Sequence, residues 1–545
     1  MFNINAQGPI NRSNLSQMEK RQTLYFFILL LAVSVLYGYP EIFFKHPSYH
    51  HLWRQSDCLS ITLNYAIENR NFFTPAIHWV GSKDGRTISE FPIIYYTVAQ
   101  LWKVFGQYET IFRLINILIV FSGLYCLFRF AREFLGDTFW AIFLPLFLFS
   151  SPILAYYTNN FLADAPALGL SLTGGYFFWK SFSSGKKKWY YLSFLFFLLA
   201  GLIKISSMLL FLSLFVVHMY VIFFHHREKN WFNRYARLLP YLGVIILILA
   251  WYRYTAWYNN HNLAGIFLQG LLPIWGVDAA TRAKLWSVYV KDMIPAYFSL
   301  GGFYAVLLLF LAVFAFYRHV SKFLLAVTLF VFLGCVSLLL LFYQALTIHD
   351  YYSTNMLIFI PLPVIVFLDM LHKKYPLIYK SRALKIVVSI GLLFMLYTGA
   401  VTNRMKYNTR DALVKTNFIV NRHEIEEMEK FNDWFDSRYN ALREIKPYLR
   451  SLGISRTDRV FSIPDNSINI TLYMMDQKGL DDFLCSEMPY GKTKMDLVRE
   501  LGCRYVIVNN TYICQDPGLA PYLTHLIGTF KNVNIYKLDQ AAKTN

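Results

Sequence analysis

Long apolar runs separated by short polar stretches make up most of the chain as far as residue 402. A helix that crosses the hydrocarbon core of a bilayer needs about 20 predominantly apolar residues. This pattern predicts an all-α polytopic membrane domain over residues 1–402, with about 11–13 transmembrane helices. Runs of roughly the required length lie at residues 23–40, 111–130, 138–156, 164–181, 189–203, 207–224, 236–252, 296–317, 323–345, 352–371 and 384–402.

The pattern changes after Arg404, where polar residues alternate with shorter apolar stretches. Two stretches, Tyr439–Leu452 and Lys492–Leu501, have the period of amphipathic helices. An alternation of helical and strand-like stretches predicts a small α/β domain outside the membrane, over residues 403–545. The strand-like runs are Arg459–Ile463, Ile470–Met475, Tyr505–Val508 and Val533–Leu538.

The charge pattern adds an orientation to this membrane architecture. The net charge of +19 is compatible with nucleic-acid binding, but the basic residues cluster in short connections between apolar runs, where they are typical of cytoplasmic loops. We therefore expect no nucleic-acid partner. The same rule places a long first loop, residues 41–110, and the C-terminal domain outside the cytoplasm. Within that loop, Phe91–Phe105 is too short to span and predicts a helix that lies in the membrane interface.

Cysteines of the polar tail offer one further expectation. Cys485, Cys503 and Cys514 could form one disulfide bond if the tail faces an oxidising compartment. The sequence leaves the choice of the pair open.

Three acidic residues, Asp57, Glu90 and Asp164, are the first candidates for a functional site. A structural role is available for each: Ser56 or Asp57 can cap a helix, and a carboxylate near a helix N-terminus is favourable. However, the charge pattern places all three on the same face, each at a membrane boundary. Since acid near hydrocarbon is costly, this coincidence predicts a functional site.

Basic and aromatic residues are predicted on the same face and suit a lipid phosphate. Arg54 could pair with such a phosphate or, alternatively, with Asp57. Lys204 stands alone in a turn between two apolar runs, where a side chain that snorkels to the interface is the competing interpretation. The turn His349-Asp350-Tyr351-Tyr352 is a further candidate for phosphate binding. Its tyrosines are also typical of the aromatic belt at a membrane interface.

An ordered set of these motifs resembles the C-type membrane glycosyltransferases, in particular bacterial relatives of protein O-mannosyltransferases and of the lipid A aminoarabinose transferase. The resemblance covers roughly the first 210 residues, and no single motif is diagnostic. One departure is clear: the aminoarabinose-transferase branch has Glu-Lys-Pro-Pro where this chain has Glu90-Phe91-Pro92-Ile93, so that sugar and lipid A are not expected here. The matching elements are Asp57, Glu90-Phe91-Pro92, Phe105-Gly106, Arg113-Leu114, Ser151-Pro152 ahead of Asp164, and Gly201 to Lys204.

This resemblance implies an enzyme that transfers a sugar from a polyprenyl-phosphate donor to a lipid, glycan or protein acceptor, with inversion. It also implies a bacterial inner membrane, with the active site and C-terminal domain on the periplasmic side. Asp57 is then the expected base, with Glu90 and Asp164 as catalytic partners. These three carboxylates would hold a divalent metal ion if the enzyme uses one, and the family contains both metal-using and metal-free members. Donor-binding candidates are Arg54, Lys204, His349, Asp350, Tyr351 and Tyr352.

Three alternatives fit parts of the same pattern. A lipid or oligosaccharide flippase would also have many spans, but transporters commonly show two related halves, and the sequence contains no internal repeat. A polysaccharide polymerase or ligase would use a diphosphate-linked donor. A membrane anchor for a binding domain would not need so many spans. The sugar, the acceptor and the oligomeric state are not specified by the sequence.

Overall fold

A computed structural model describes residues 12–224, 236–267 and 270–538. The chain forms two compact units, each assembled from several stretches of sequence. The first, here called the helical unit, contains Met1–Phe44, Arg113–Trp251 and Gly270–Arg404. The second, the mixed unit, contains Lys45–Phe112, Tyr252–Gln269 and Met405–Asn545. Most of the predicted first loop therefore groups with the C-terminal residues.

Apolar helices dominate the helical unit. Six described helices are long and apolar enough to cross a membrane, and two further pairs, bent by 79° and 92°, would raise that number to eight. The protein is therefore an integral membrane protein. The six are Glu109–Leu135, Ile205–Phe224, Leu239–His261, Lys322–Leu341, Asp350–Lys374 and Arg382–Met405, and the bent pairs are Thr138–Phe149 with Pro152–Thr158 and Ala279–Tyr297 with Leu300–Ala315.

Three of the predicted runs form helices outside this set, which accounts for the difference from the 11–13 spans expected. These helices are Arg12–Leu36, Asp164–Ser184 and Lys187–Ile203. Lys187–Ile203 has 17 residues and a length of about 26 Å, slightly less than a hydrocarbon core of roughly 30 Å. Asp164–Ser184 contains several Gly, Ser and Thr residues that lower its hydropathy.

A close glycine contact positions the helix that begins at Asp164. A Cβ on Gly123 would lie 2.5 Å from the carbonyl oxygen of Gly169, and one on Gly169 would lie 2.7 Å from that of Ile119. Small residues allow membrane helices to approach at backbone distance. The helices Glu109–Leu135 and Asp164–Ser184 therefore cross at a point that admits no larger side chain.

The mixed unit combines short helices with one five-stranded sheet. Its α-helices are Leu52–Ile67, Ile93–Phe105, Ala412–Lys415, Arg422–Glu444, Lys446–Ser451, Ile470–Met475 and Lys492–Glu500. Its strands are β1 (Arg459–Ile463), β2 (Gly479–Asp481), β3 (Cys503–Val508), β4 (Leu526–Phe530) and β5 (Val533–Lys537). The predicted α/β domain is confirmed, as are a short helix within Phe91–Phe105 and the helix near Lys492.

Strand order in the sheet is β2-β1-β3-β5-β4. β1 pairs in parallel with β2 and β3, whereas β5 is antiparallel to β3 and β4. First-loop residues extend the β2 edge, where the Val80 amide donates to Gly479 O at 2.9 Å and the Gly479 amide donates to His78 O at 3.2 Å. A Cβ on Gly479 would lie 2.1 Å from Val460 O, so only glycine fits between these backbones.

The prediction of a strand at Ile470–Met475 is wrong, because this segment is an α-helix. Its residues from Thr471 onward are all buried, and a short run buried on every side has no period that separates strand from helix. The preceding turn starts the helix: Ser467 Oγ accepts from the Ile470 amide and Asp465 Oδ2 from the Thr471 amide, both at 2.9 Å. Strands β1, β3 and β5 match the prediction, while β2 and β4 had not been expected.

Among the cysteines of the tail, Cys503 and Cys514 are free thiols. They therefore do not form a pair with each other. The side chain of Cys485 lies outside the part of the chain that the structure describes.

Candidate active site

Asp57 occupies the interior of helix Leu52–Ile67 and is 2% exposed. The helix begins five residues earlier, at Leu52, so the helix-cap interpretation of Asp57 is wrong. Its Oδ1 accepts a hydrogen bond from Asn469 Nδ2 at 2.9 Å. Its Oδ2 lies 3.7 Å from Arg54 Nη1, one turn earlier on the same helix.

Arg54 joins Asp57 to the second predicted carboxylate, Glu90. Its Nη2 forms an ion pair with Glu90 Oε2 and donates to Ser89 Oγ at 3.1 Å. The other oxygen of Glu90 accepts from the hydroxyl of Tyr95. Arg54 therefore pairs with Glu90 in addition to lying near Asp57, the protein partner that the sequence suggested. Glu90 is bound by the side chains of Arg54 and Tyr95.

Burial sets the protonation behaviour of Asp57. Loss of solvent raises the pKa of its carboxyl to about 7, and the neighbouring charge of Glu90 acts in the same direction. The Arg54 guanidinium and the Asn469 hydrogen bond oppose this rise. A carboxylate with a pKa near the operating pH is suited to accept a proton in catalysis.

A divalent metal ion held by the predicted carboxylates would need their oxygens, and in the mixed unit these atoms already have partners. Asp57 uses Oδ1 for Asn469, while both oxygens of Glu90 accept from Arg54 and Tyr95. An ion held by both carboxylates would have to replace Arg54. Metal dependence stays a prediction.

In the helical unit, Asp164 and Lys204 form the second predicted cluster. Asp164 begins helix Asp164–Ser184 and is 1% exposed. Lys204 follows the last residue of helix Lys187–Ile203, and its Nζ lies 3.3 Å from Asp164 Oδ1. Lys204 is therefore directed at a buried carboxylate and does not simply snorkel away from the apolar helices.

The turn His349–Tyr352 packs against the same lysine. Lys204 Nζ lies 5.6 Å from the centre of the Tyr351 ring and 5.3 Å from that of Tyr352, which is within cation–π range. Tyr351 Oη is 3.1 Å from His349 Nδ1, and Asp350 accepts from the hydroxyl of Tyr157. The ammonium of Lys204 therefore lies between the carboxylate of Asp164 and the faces of two aromatic rings.

Arg113 and Asn116 hold the segment that leads into Asp164. The Arg113 guanidinium is fully buried, donates to Asn159 O and lies 4.1 Å from the centre of the Phe161 ring. Asn116 Nδ2 donates to the carbonyls of Asn160 and Leu162 at 2.8 and 3.1 Å. The sequence had indicated Arg113 only through the family resemblance, as the Arg113-Leu114 motif that opens an apolar run.

Within each unit, the structure brings predicted residues together. Asp57, Arg54 and Glu90 meet in the mixed unit, whereas Asp164, Lys204, Tyr351 and Tyr352 meet in the helical unit. The sequence did not indicate Ser89, Tyr95 or Asn469. Their roles depend on contacts between separate elements, and no local pattern marks them.

Part of the chain matches a known protein family. Residues 89–254 match the family described as dolichyl-phosphate-mannose-protein mannosyltransferase. That stretch contains Glu90, Asp164 and Lys204. Among curated proteins, none matches the sequence significantly.

Two solved structures share the fold over nearly the whole chain. ArnT from Cupriavidus metallidurans bound to undecaprenyl phosphate aligns with a TM-score of 0.58 and 11% identity, covering 94% of this chain and 97% of that one. The apo state of the same protein gives a TM-score of 0.57 and 10% identity, with coverages of 95% and 98%.

The protein therefore has the fold of the C-type membrane glycosyltransferases, and its resemblance to that family is confirmed. The particular structures that it resembles are those of ArnT, the lipid A aminoarabinose transferase. Together with the family match, this fold supports a membrane glycosyltransferase.

Proposed function

We propose that this protein transfers a sugar from a polyprenyl-phosphate donor to an acceptor hydroxyl at the extracytoplasmic face of a bacterial inner membrane. The observation that carries the proposal is the buried carboxylate of Asp57, held between Arg54 and Asn469. The family match over residues 89–254 supports glycosyl transfer, and the undecaprenyl phosphate bound to ArnT supports the class of donor.

In the proposed reaction, the acceptor hydroxyl gives its proton to Asp57 as its oxygen attacks the anomeric carbon of the sugar. The bond between that carbon and the phosphate oxygen breaks, and its electron pair stays on the polyprenyl phosphate. A single displacement of this kind inverts the anomeric configuration. Proton transfer to a positioned base contributes about 10²–10⁴-fold to such a rate.

The leaving phosphate gains negative charge and needs a cation in a water-poor site. Lys204 is suited to this role because its ammonium lies between Asp164 and the rings of Tyr351 and Tyr352. Its pairing with Asp164 would fix the ammonium before the donor arrives. His349 and Asp350 belong to the same turn and are proposed to line the phosphate position.

Purified protein incubated with a panel of polyprenyl-phosphate sugars tests the proposal, with Asp57→Asn as the decisive variant. This nearly isosteric change keeps an oxygen that can accept from Asn469 but removes the base. We expect kcat to fall by about 10²–10⁴-fold. Thermal stability should change little, because Arg54 keeps its ion pair with Glu90 and burial already disfavours the ionised form of Asp57. The matched control is Asp84→Asn in the same first loop, where the carboxylate is exposed and pairs with Arg70 at 3.0 Å.

Full transfer activity in Asp57→Asn would refute the base role. Movement of the lipid across liposomes without a glycosyl product would favour a transporter instead. Chelation of divalent ions in the same assay checks metal dependence.

A further inference from the structure

Asn469 connects the C-terminal sheet to the helix that carries Asp57. It lies between β1 and helix Ile470–Met475 and has no exposed surface. Both ends of its amide are used: Nδ2 donates to Asp57 Oδ1 at 2.9 Å, and Oδ1 accepts from the Trp79 backbone amide at 3.1 Å. The side chain therefore bridges a first-loop backbone group and the candidate base.

The direction of this bridge is determined by chemistry. A backbone N–H can only donate, so the Asn469 oxygen must face Trp79 and its NH₂ group must face Asp57. The Asp57 carboxylate then acts as acceptor, and a hydrogen bond to an ionised group is stronger than one between neutral groups. Asn469 thus favours the form of Asp57 that can take up a proton.

The remaining neighbours of Asp57 do not supply such a directed contact. Arg54 lies at 3.7 Å from Oδ2, beyond hydrogen-bond distance, and is itself bound to Glu90. Glu90 and Asp481, at the end of β2, act on Asp57 only through their like charges. Asn469 is the neighbour that fixes the rotation of the carboxyl group.

We infer that Asn469 is a positioning residue for Asp57: it binds Oδ1 and so leaves Oδ2 as the oxygen that receives the proton of the acceptor. This inference rests on the proposed function of Asp57. It assigns to the C-terminal domain a direct part in the reaction, beyond covering the site or binding the acceptor.

Asn469→Asp tests the inference because it keeps the acceptor for Trp79 and replaces the donor to Asp57 by a second carboxyl group. We expect kcat to fall about 10- to 100-fold with KM for the donor unchanged, since the hydrogen bond to the ionised base is lost and the adjacent carboxyl favours the protonated form of Asp57. Asn469→Ser, whose hydroxyl can still donate over a shorter reach, is expected to give an intermediate kcat and serves if Asn469→Asp does not fold.

The double variant Asp57→Asn with Asn469→Asp separates catalysis from structure. The amide now at position 57 can donate to the carboxylate at position 469, so the hydrogen bond is restored in the opposite direction. We expect the melting temperature to return to that of the wild type, while kcat stays as low as in Asp57→Asn. The matched control is Asn532→Asp, which removes an exposed amide donor to Ser437 O at 3.0 Å elsewhere in the mixed unit.

Wild-type kcat in Asn469→Asp, with Asp57→Asn inactive, would overturn the inference and leave the proposed function intact. A lower melting temperature or a higher KM with unchanged kcat would likewise overturn it, because that result describes a purely structural contact. Full activity in Asp57→Asn would instead refute the proposed function on which the inference rests.

Discussion

Replacement of Arg54 by Met should destabilise the protein more than the loss of an ordinary ion pair. Arg54 is buried and places its single positive charge beside two buried carboxyl groups, Asp57 and Glu90. Met fills a similar volume without the charge. Both carboxylates would then lose the guanidinium charge in a poorly hydrated environment.

The magnitude follows from the geometry. At 3.7 Å and an effective dielectric constant of about 20, the attraction between Arg54 and Asp57 is about 4 kcal/mol. Removal of one partner from a buried ion pair typically costs about 3–5 kcal/mol. A second change, Glu90→Gln in the Arg54→Met background, removes one uncompensated charge and should recover about half of that loss. Tyr95 can still donate to the glutamine oxygen.

Thermal unfolding of the purified protein in one detergent, followed by intrinsic fluorescence, measures the effect. The control is Arg422→Met, because Arg422 is 92% exposed and its pair with Glu426 should contribute only about 0–1 kcal/mol. The loss of stability in Arg54→Met should also grow with pH. Without Arg54, the pKa of both carboxyl groups rises in the folded protein. Ionising these groups then lowers the stability at pH values above their pKa in the unfolded chain, and this effect disappears in acid.

Equal melting temperatures for Arg54→Met and Arg422→Met would refute this reasoning. A decrease in melting temperature of Arg54→Met that is as large at pH 5 as at pH 8 would also refute it. Such a decrease would come from altered packing and not from uncompensated charge.

Two further predictions concern activity. Since burial raises the pKa of Asp57 to about 7 in the free protein, the base should become protonated below that pH, and kcat/KM should fall about tenfold per pH unit in acid. A kcat/KM profile that is flat between pH 5 and 8 would contradict this role. Lys204→Met keeps the packing of the stem against Tyr351 and Tyr352 but removes the charge, so it should weaken the binding of polyprenyl phosphate about 10- to 100-fold. It should also lower the melting temperature, because the buried carboxylate of Asp164 loses its ion pair with Lys204, so lipid binding is measured at equilibrium at a temperature where the variant is folded.

Hydropathy predicted the helical architecture because a segment that crosses the lipid needs a long apolar run whose backbone N–H and C=O groups are hydrogen-bonded within the helix. It did not separate the six long helices from shorter apolar helices such as Lys187–Ile203, since both kinds are rich in apolar residues. The segment Ile470–Met475 shows a related limit. Its side chains favour a strand, but amide contacts to Ser467 and Asp465 start a helix, and these contacts become visible only in three dimensions.

The sequence identified the acidic residues through their position beside apolar runs, but it did not indicate the side chains that bind them. The partner of Asp57 lies 412 residues further along the chain, and its neighbours in the sequence give no sign of that contact. Tyr95, which binds Glu90, lies on a helix whose apolar pattern explains it equally well as a core residue. Partners contributed by distant elements require the fold itself.

The site of Asp57 also shows why a local explanation of a polar residue should be checked against the boundaries of its helix. A cap must lie at the helix start, where amides are free, yet Asp57 follows a full turn of helix that begins at Leu52. All backbone amides around it are already used within the helix, so its carboxylate can be stabilised only by side chains. Arg54 and Asn469 supply that stabilisation. Burial of a carboxyl group inside a short helix costs folding free energy, and the catalytic role that we propose for Asp57 accounts for a residue that is retained despite this cost.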